Sequence, residues 1–243
     1  MNTKQKSVAQ ATGTHVNRGN LSFSHEQISR KNMKELNISK RDFNNQQNRE
    51  KLLNAMHQII EKYDYNTVTI RNLCTVSGVS YGSFYNLFKT KENFLCFYLT
   101  HDFIKYMDEY YVTHSEEFQA MNPIEKSIDI FCCCAKYNID KGLKFVSAFY
   151  SPNNYSLFPD PGSPEQEYSF TPLLRLGREY LTKAKAQNLL KSDADIERMI
   201  HMYAYIFNGV TFNWCISQAK FDIVGEVRKC LTTFLIPYTA ATE

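Results

Sequence analysis

The run from Thr69 to Lys91 limits what this 243-residue chain can become more than any other stretch. It reads Thr-Ile-Arg-Asn-Leu-Cys-Thr-Val-Ser-Gly-Val-Ser-Tyr-Gly-Ser-Phe-Tyr-Asn-Leu-Phe-Lys-Thr-Lys. Thr69, Ser80 and Thr90 stand where N-caps would open three helices, because a hydroxyl accepts from the orphan N–H groups of a first turn. Ile70, Leu73, Cys74 and Val76 recur at helical spacing and predict one buried face. Gly78 sits where the chain must reverse, and glycine takes positive φ there without a Cβ penalty. Val79 reads as an apolar plug between two helices. From Tyr81 to Phe88, the residues Phe84, Leu87 and Phe88 form an inner face. Tyr81, Ser83, Tyr85 and Asn86 then fall on or beside the outer face, and Gly82 permits close approach to another surface. Phe94 and Leu95 stand behind Lys91 and Glu92 at the start of the next helix. Upstream, Leu52, Leu53, Ala55, Met56, Ile59, Ile60 and Tyr63 predict a preceding helix, with a turn signal at residues 64–66. The spacing is that of a helix-turn-helix, whose second helix lies in the DNA major groove.

Residues 48–98 resemble the N-terminal domain of the tetracycline-repressor (TetR) family of bacterial regulators. Thr69, Gly78, Val79, Ser80, Gly82, Ser83, Tyr85, Phe88, Lys91 and Glu92 match the family pattern in order. Three positions depart from it. Tyr81 stands where the family often has a basic residue, Asn86 where it often has His, and Cys74 where a small Ala is usual. The first two bear on which bases are read, and the third is a tolerable core change. The resemblance implies a DNA interface made of Thr69, Tyr81, Gly82, Ser83, Tyr85, Asn86, Lys89 and Lys91. Tyr85, Lys91 and Thr69 would contact phosphates. Tyr81, Ser83 and Asn86 would read bases, Asn being suited to bidentate pairing with adenine.

Charge is uneven along the chain. Residues 1–91 carry 14 Lys and Arg against 6 Asp and Glu, and residues 92–243 carry 14 against 19. A basic head on an acidic body is the electrostatic footprint of DNA binding confined to one end. No window approaches the ~20 apolar residues of a membrane span, and the first residues lack the apolar core of a secretory signal. The expectation is a cytoplasmic protein with no membrane partner. The seven cysteines include no pair at zinc spacing. Cys132, Cys133 and Cys134 would point about 100° apart on a helix. They are either a redox sensor or inert core thiols, and the inert reading is preferred.

The expected architecture is all-α: a three-helix helix-turn-helix domain followed by a helical ligand-binding and dimerisation domain. Residues 1–46, rich in Asn, Gln, Ser and Lys, predict a disordered basic extension. It is either an arm that tracks phosphates or an inert tail, the second being preferred. Residues 47–92 are the expected DNA-binding domain and 93–243 the effector and dimerisation domain. A long helix over 91–113 has a stripe of Phe94, Phe97, Tyr98, His101 and Ile104. Asn122 and Pro123 open a helix running to near Ile139, Gly142 breaks it, and residues 143–150 form a short one. Residues 151–164, with four prolines, predict a loop. A helix then ends near Gln187. Ser192 or Asp193 caps a long helix to about Lys220, and Asp222 opens the last, ending near Pro237.

Ile196, Ile200, Tyr203, Phe207, Val210 and Trp214 run down one of the last two long helices, and Val224, Val227, Leu231, Phe234 and Leu235 down the other. They form either a core within one subunit or a four-helix homodimer interface. The resemblance favours the dimer, with Phe207, Trp214, Val227, Leu231 and Phe234 as interface candidates. Aromatic residues crowd the second domain. They either pack its core or wall a pocket for an apolar or aromatic small-molecule effector. Helical phase selects Phe97, His101, Phe131, Tyr203 and Phe207 as its lining. No phosphate loop, paired-carboxylate site or nucleophile elbow is present, so no enzyme, cofactor or metal is expected. Two functions remain: a dimeric, ligand-responsive repressor of a double-stranded DNA operator, or a protein of the same fold that binds DNA and recruits a protein partner without an effector.

Overall fold

The computed structural model describes residues 39–63, 67–150 and 171–240. The expected loop at 151–164, the turn at 64–66 and all but the end of the expected extension lie outside them. Ten α-helices and one 3-10 turn occur among the described residues: α1 (Lys40–Ile60), α2 (Ile70–Ser77), α3 (Tyr81–Phe88), α4 (Lys91–Thr113), α5 (Ser115–Ala120), α6 (Pro123–Lys141), α7 (Leu143–Phe149), α8 (Thr171–Ala186), α9 (Ile196–Ile216), α10 (Ile223–Leu235) and a 3-10 turn at Ile236–Tyr238. The chain divides into two compact units, Met1–Gln46 and Gln47–Glu243. Of the first unit the structure describes only the opening turns of α1. There Ser39 caps the helix, its Oγ accepting from the Asp42 N–H at 3.1 Å. The helix therefore starts at Lys40, inside the segment that composition assigned to a disordered extension.

In the second unit, α1 to α3 make the head and α4 leads into the body. The α4 helix buries Phe94, Leu95, Tyr98, Leu99, Asp102 and Phe103. That face is turned by one position from the expected stripe, and His101 is exposed. Central to the body is α6, packed against α8, α10, α4 and α7. Its start carries a full capping box: the Asn122 side chain accepts from the Glu125 N–H at 3.0 Å, and Glu125 accepts from the Asn122 N–H at 2.8 Å. Gly177 lets α8 close on its neighbours. A Cβ there would lie 2.6 Å from Ile200 Cδ1 and 3.1 Å from Phe131 Cε2.

Two boundaries differ from expectation. The long helix α9 is capped by Asp195, not Ser192 or Asp193, and it stops at Ile216 rather than Lys220. Its end is set by Ser217, whose N–H reaches the Asn213 carbonyl at 2.9 Å, and by Gln218 and Ala219 at positive φ. The one-and-a-half-turn helix α5 has no sequence counterpart. Its N-cap position, His114, makes no side-chain cap, so the usual start signal is missing. No helix among the described residues is long and apolar enough to cross a membrane.

Candidate nucleic-acid interface

The head is built from reciprocal caps around a small apolar centre. Thr69 Oγ1 accepts from the Asn72 N–H at 3.1 Å, while Asn72 Oδ1 accepts from the Thr69 N–H at 2.7 Å. This closes a capping box at the start of α2. The Asn72 amide also donates to the Thr67 carbonyl at 2.8 Å, tying the helix to the residues before it. Gly78 ends α2 at φ 69°, its N–H donating to the Cys74 carbonyl at 3.0 Å. Ser77 Oγ accepts from the Val79 N–H at 3.2 Å, which supports the turn while Val79 is buried between the helices.

Ser80 then caps α3, accepting from the Ser83 N–H at 3.1 Å and donating to Ser83 Oγ at 2.9 Å. Phe84, Leu87 and Phe88 are buried, and Phe84 and Phe88 each meet Phe94 of α4 in edge-on contacts. An eight-residue helix is marginal by itself. These caps and this aromatic cluster hold α3 in place from behind.

The outer stripe of α3 lies on the side away from this cluster. Tyr81 and Tyr85 are each 49% exposed, Gly82, Asn86 and Lys89 are exposed, and Ser83 is half-buried. Thr69 is exposed at the start of α2, and Lys91 is half-buried at the start of α4. Burial lowers the Lys91 ammonium below its ordinary value, outweighing the raising effect of neighbouring Glu92. All eight residues expected at a DNA surface thus lie on α3, at its C-cap (Lys89) or at the starts of α2 and α4. Val76, expected in the buried face of α2, is exposed instead. It lies about 100° around the helix from Ser77 and falls outside the arc shared by Leu73 and Cys74.

The effector candidates separate into two places. Phe131, Tyr203 and Phe207 come together, with ring centroids 5.2 Å apart for Phe131–Tyr203 and 5.7 Å for Phe131–Phe207. All three are fully packed, and the Tyr203 hydroxyl meets Ser127 Oγ at 3.1 Å. Phe97 instead packs on Phe88 of the head, with the Arg49 guanidinium over its ring at 5.7 Å, and His101 faces solvent. The interface candidates are also redistributed. Phe207, Trp214, Val227 and Leu231 are buried within the one chain, and Phe234 is partly buried against Tyr203. The outward side of α9 carries a different apolar stripe: Tyr205 at 57%, Phe212 at 43% and Ile216 at 61% exposed. Sequence periodicity found the apolar positions of α9 but not which of its two apolar sides faces inward.

A polar cluster joins the head to the body. Asp102 of α4 is buried, accepts from the Tyr137 hydroxyl at 2.8 Å and is ion-paired to Lys141, both on α6. His57 of α1 approaches the same carboxylate, Nε2 to Oδ1 at 3.8 Å, and its other ring nitrogen lies 3.4 Å from the Tyr98 hydroxyl. Burial and the nearby Asp102 charge push the Tyr137 and Tyr98 phenols up, so both remain neutral. None of this network was anticipated from the sequence. Its members are 35 or more positions apart except within α4 and α6, and no local pattern joins them.

Capped head and helical body define a helix-turn-helix protein with an all-α second part. No family model and no curated protein matches the chain. Solved structures do. Thermus thermophilus FadR, a TetR-family transcriptional repressor in complex with lauroyl-CoA, is 22% identical, with 80% of this chain and 97% of that one covered at a TM-score of 0.62. A TetR transcriptional regulator from Rhodococcus sp. RHA1 is 14% identical, with coverage of 79% and 97% and a TM-score of 0.55. The fatty acid degradation regulator FadR from Bacillus halodurans is 18% identical, with coverage of 78% and 95% and a TM-score of 0.51. The fold is that of the TetR family of transcriptional regulators.

Proposed function

We propose that this chain is a sequence-specific, DNA-binding transcriptional regulator that acts as a homodimeric repressor and is released by a small-molecule effector. The observation that carries the reading is the outer stripe of α3. Tyr81, Tyr85 and Asn86 project from a helix whose other side is locked by Phe84, Leu87 and Phe88, with Lys89 exposed at its C-cap. In this reading Tyr81, Ser83 and Asn86 meet base edges, and Thr69, Tyr85, Lys89 and Lys91 meet phosphates, with Gly82 allowing the backbone to come close. The domain division is head at 47–92 and effector and dimerisation domain at 93–243. Two heads spanning half-sites about 34–36 Å apart require a dimer. The exposed Tyr205, Phe212 and Ile216 of α9 supply its apolar surface, in place of Trp214, Val227 and Leu231.

The dense packing of Phe131, Tyr203 and Phe207 favours a second reading, in which a protein partner replaces the effector. Both readings are tested by selecting bound sequences from randomised duplex DNA with the full-length chain, then measuring mass in solution. A palindromic motif and a dimer that becomes monomeric in Ile216→Glu support the regulator. Binding with no sequence preference, or a wild-type monomer at micromolar concentration, refutes it.

A further inference from the structure

Given the DNA-binding reading, the base pairs that α3 can recognise follow from the side chains it presents. At about 100° per residue, the buried Phe84, Leu87 and Phe88 occupy one arc of the helix. Gly82 and Asn86 lie opposite that arc, one turn apart, and both are exposed. Tyr81 and Tyr85 flank them on one side, each 49% exposed, and half-buried Ser83 flanks them on the other. Gly82 has no side chain, so the Asn86 amide is the group that stands farthest from the core. Ser83 Oγ is drawn back to the cap by Ser80 Oγ at 2.9 Å, and a hydroxyl suits any base.

In the major groove each base pair shows its own pattern of donors, acceptors and methyl groups. Guanine O6 and N7 are matched by Arg or Lys, and the cytosine N4 donor by Asp or Glu. The sequence of α3, Tyr-Gly-Ser-Phe-Tyr-Asn-Leu-Phe, contains none of these four residues. The nearby cations stand off the helix: Lys89 at its C-cap, Lys91 at the start of α4 and Arg71 on α2. Adenine N6 and N7 are matched by the paired acceptor and donor of an Asn amide, and the thymine C5-methyl by an apolar face. Both of these are on the outer stripe, as the Asn86 amide and the Tyr81 ring.

We infer that the operator half-site carries a core of A·T pairs opposite α3. Asn86 accepts from adenine N6 and donates to N7, and the Tyr81 ring lies on the C5-methyl of a nearby thymine. From Tyr81 to Asn86 the helix advances about 7.5 Å. Base pairs are spaced about 3.4 Å apart, so the two side chains meet different pairs, about two steps from one another. Lys89, Lys91 and Arg71 add affinity at phosphates, which carries no sequence preference. The inference rests on the reading of α3 as the recognition helix, and it names the class of sequence that helix selects.

The test is selection of bound sequences from randomised duplex DNA with the full-length chain, then anisotropy on the selected site at fixed salt. The centre of each half-site should be A·T. Each adenine of that core is replaced in turn by 7-deazaadenine, which exchanges N7 for a C–H, and one replacement should weaken binding about tenfold or more. Each thymine is replaced by uracil, which removes only the C5-methyl, and one replacement should weaken binding about threefold. Asn86→Ala should lose the response to 7-deazaadenine and keep that to uracil, and Tyr81→Ala should do the reverse. Both positions are exposed, so both variants should fold, as circular dichroism will show. Where a variant binds too weakly to titrate, the wild-type response to the two modified bases decides. A G·C core, a wild type indifferent to both modified bases, or variants that keep both wild-type responses overturns the inference and leaves the regulator reading standing. Binding with no selected motif sinks both.

Discussion

Gly82→Ala separates the stability of α3 from its contact with DNA. Gly82 is the second residue of the helix, it is exposed, and a Cβ placed on it would meet no heavy atom within 4 Å. In the free protein the added methyl meets no resistance. It also restricts the unfolded chain, and replacing a helical Gly by Ala is worth roughly 0.5–1 kcal/mol. For a unit of this size each 1 kcal/mol moves the melting temperature by about 2–4 °C. The variant should therefore melt about 1–4 °C higher. In the proposed complex the same methyl stands among Tyr81, Tyr85 and Asn86, where the backbone would approach a phosphate. Loss of one contact to a charged group is worth roughly 1.5–3 kcal/mol, or about ten- to hundredfold in Kd. The assays are thermal melting by circular dichroism and anisotropy of a labelled operator at fixed salt. An unchanged Kd would show that nothing approaches Gly82, and a lowered melting temperature would show that the free helix is not as described.

Lys91→Ala should weaken binding to all sequences alike and lower the slope of log K against log salt by about one, while an equal slope removes Lys91 from the phosphate contacts. Asn86→Ala should relax preference at one position of each half-site by roughly 1–3 kcal/mol, and an unchanged selected motif contradicts its role in base reading. Val227→Glu buries a carboxylate among α6 and α9 side chains, so it should unfold the body rather than yield a folded monomer, as circular dichroism will show. Burial pushes the Cys132 thiol up to about 11 and Cys133 to about 12, and it raises Cys134 well above the ordinary 9. Because the folded values exceed the unfolded one, the thiols' contribution to stability is complete below pH 9 and lost as pH rises through about 11–12. At pH 8 these three should react with a thiol reagent only as the chain unfolds, and rapid labelling of the native protein would refute their burial.

What could be read from the sequence was local. The starts of α2, α3, α4 and α6 were announced by Thr69, Ser80, Thr90 and Asn122 because a cap signals within one turn, and Gly78 and Gly142 marked turns for the same reason. The eight candidate DNA-contact residues are grouped for the same reason, since they sit inside or beside that capped segment. Longer-range facts were hidden. A helix with apolar residues on two sides, such as α9, does not say which side meets its own chain, and so Trp214 and Val227 stand equally as core or as dimer-interface candidates until their burial within one chain is seen. His101 was placed on an inward stripe because Phe97 and Ile104 flank it at helical spacing. The actual face follows Leu95, Leu99, Asp102 and Phe103, with a carboxylate in it that only its partners Tyr137 and Lys141 explain.

Lys89 closes α3 at φ 56° and ψ −42°, a backbone shape that glycine adopts freely and an L-residue does not. Such a position costs of order 1–3 kcal/mol. A library of variants sorted only by heat resistance would therefore drift toward glycine at 89, and would shed a positive charge beside the outer stripe of α3 as it did so. Ranked by melting temperature alone, improved versions of this protein would include some that had lost a cation from the proposed DNA surface.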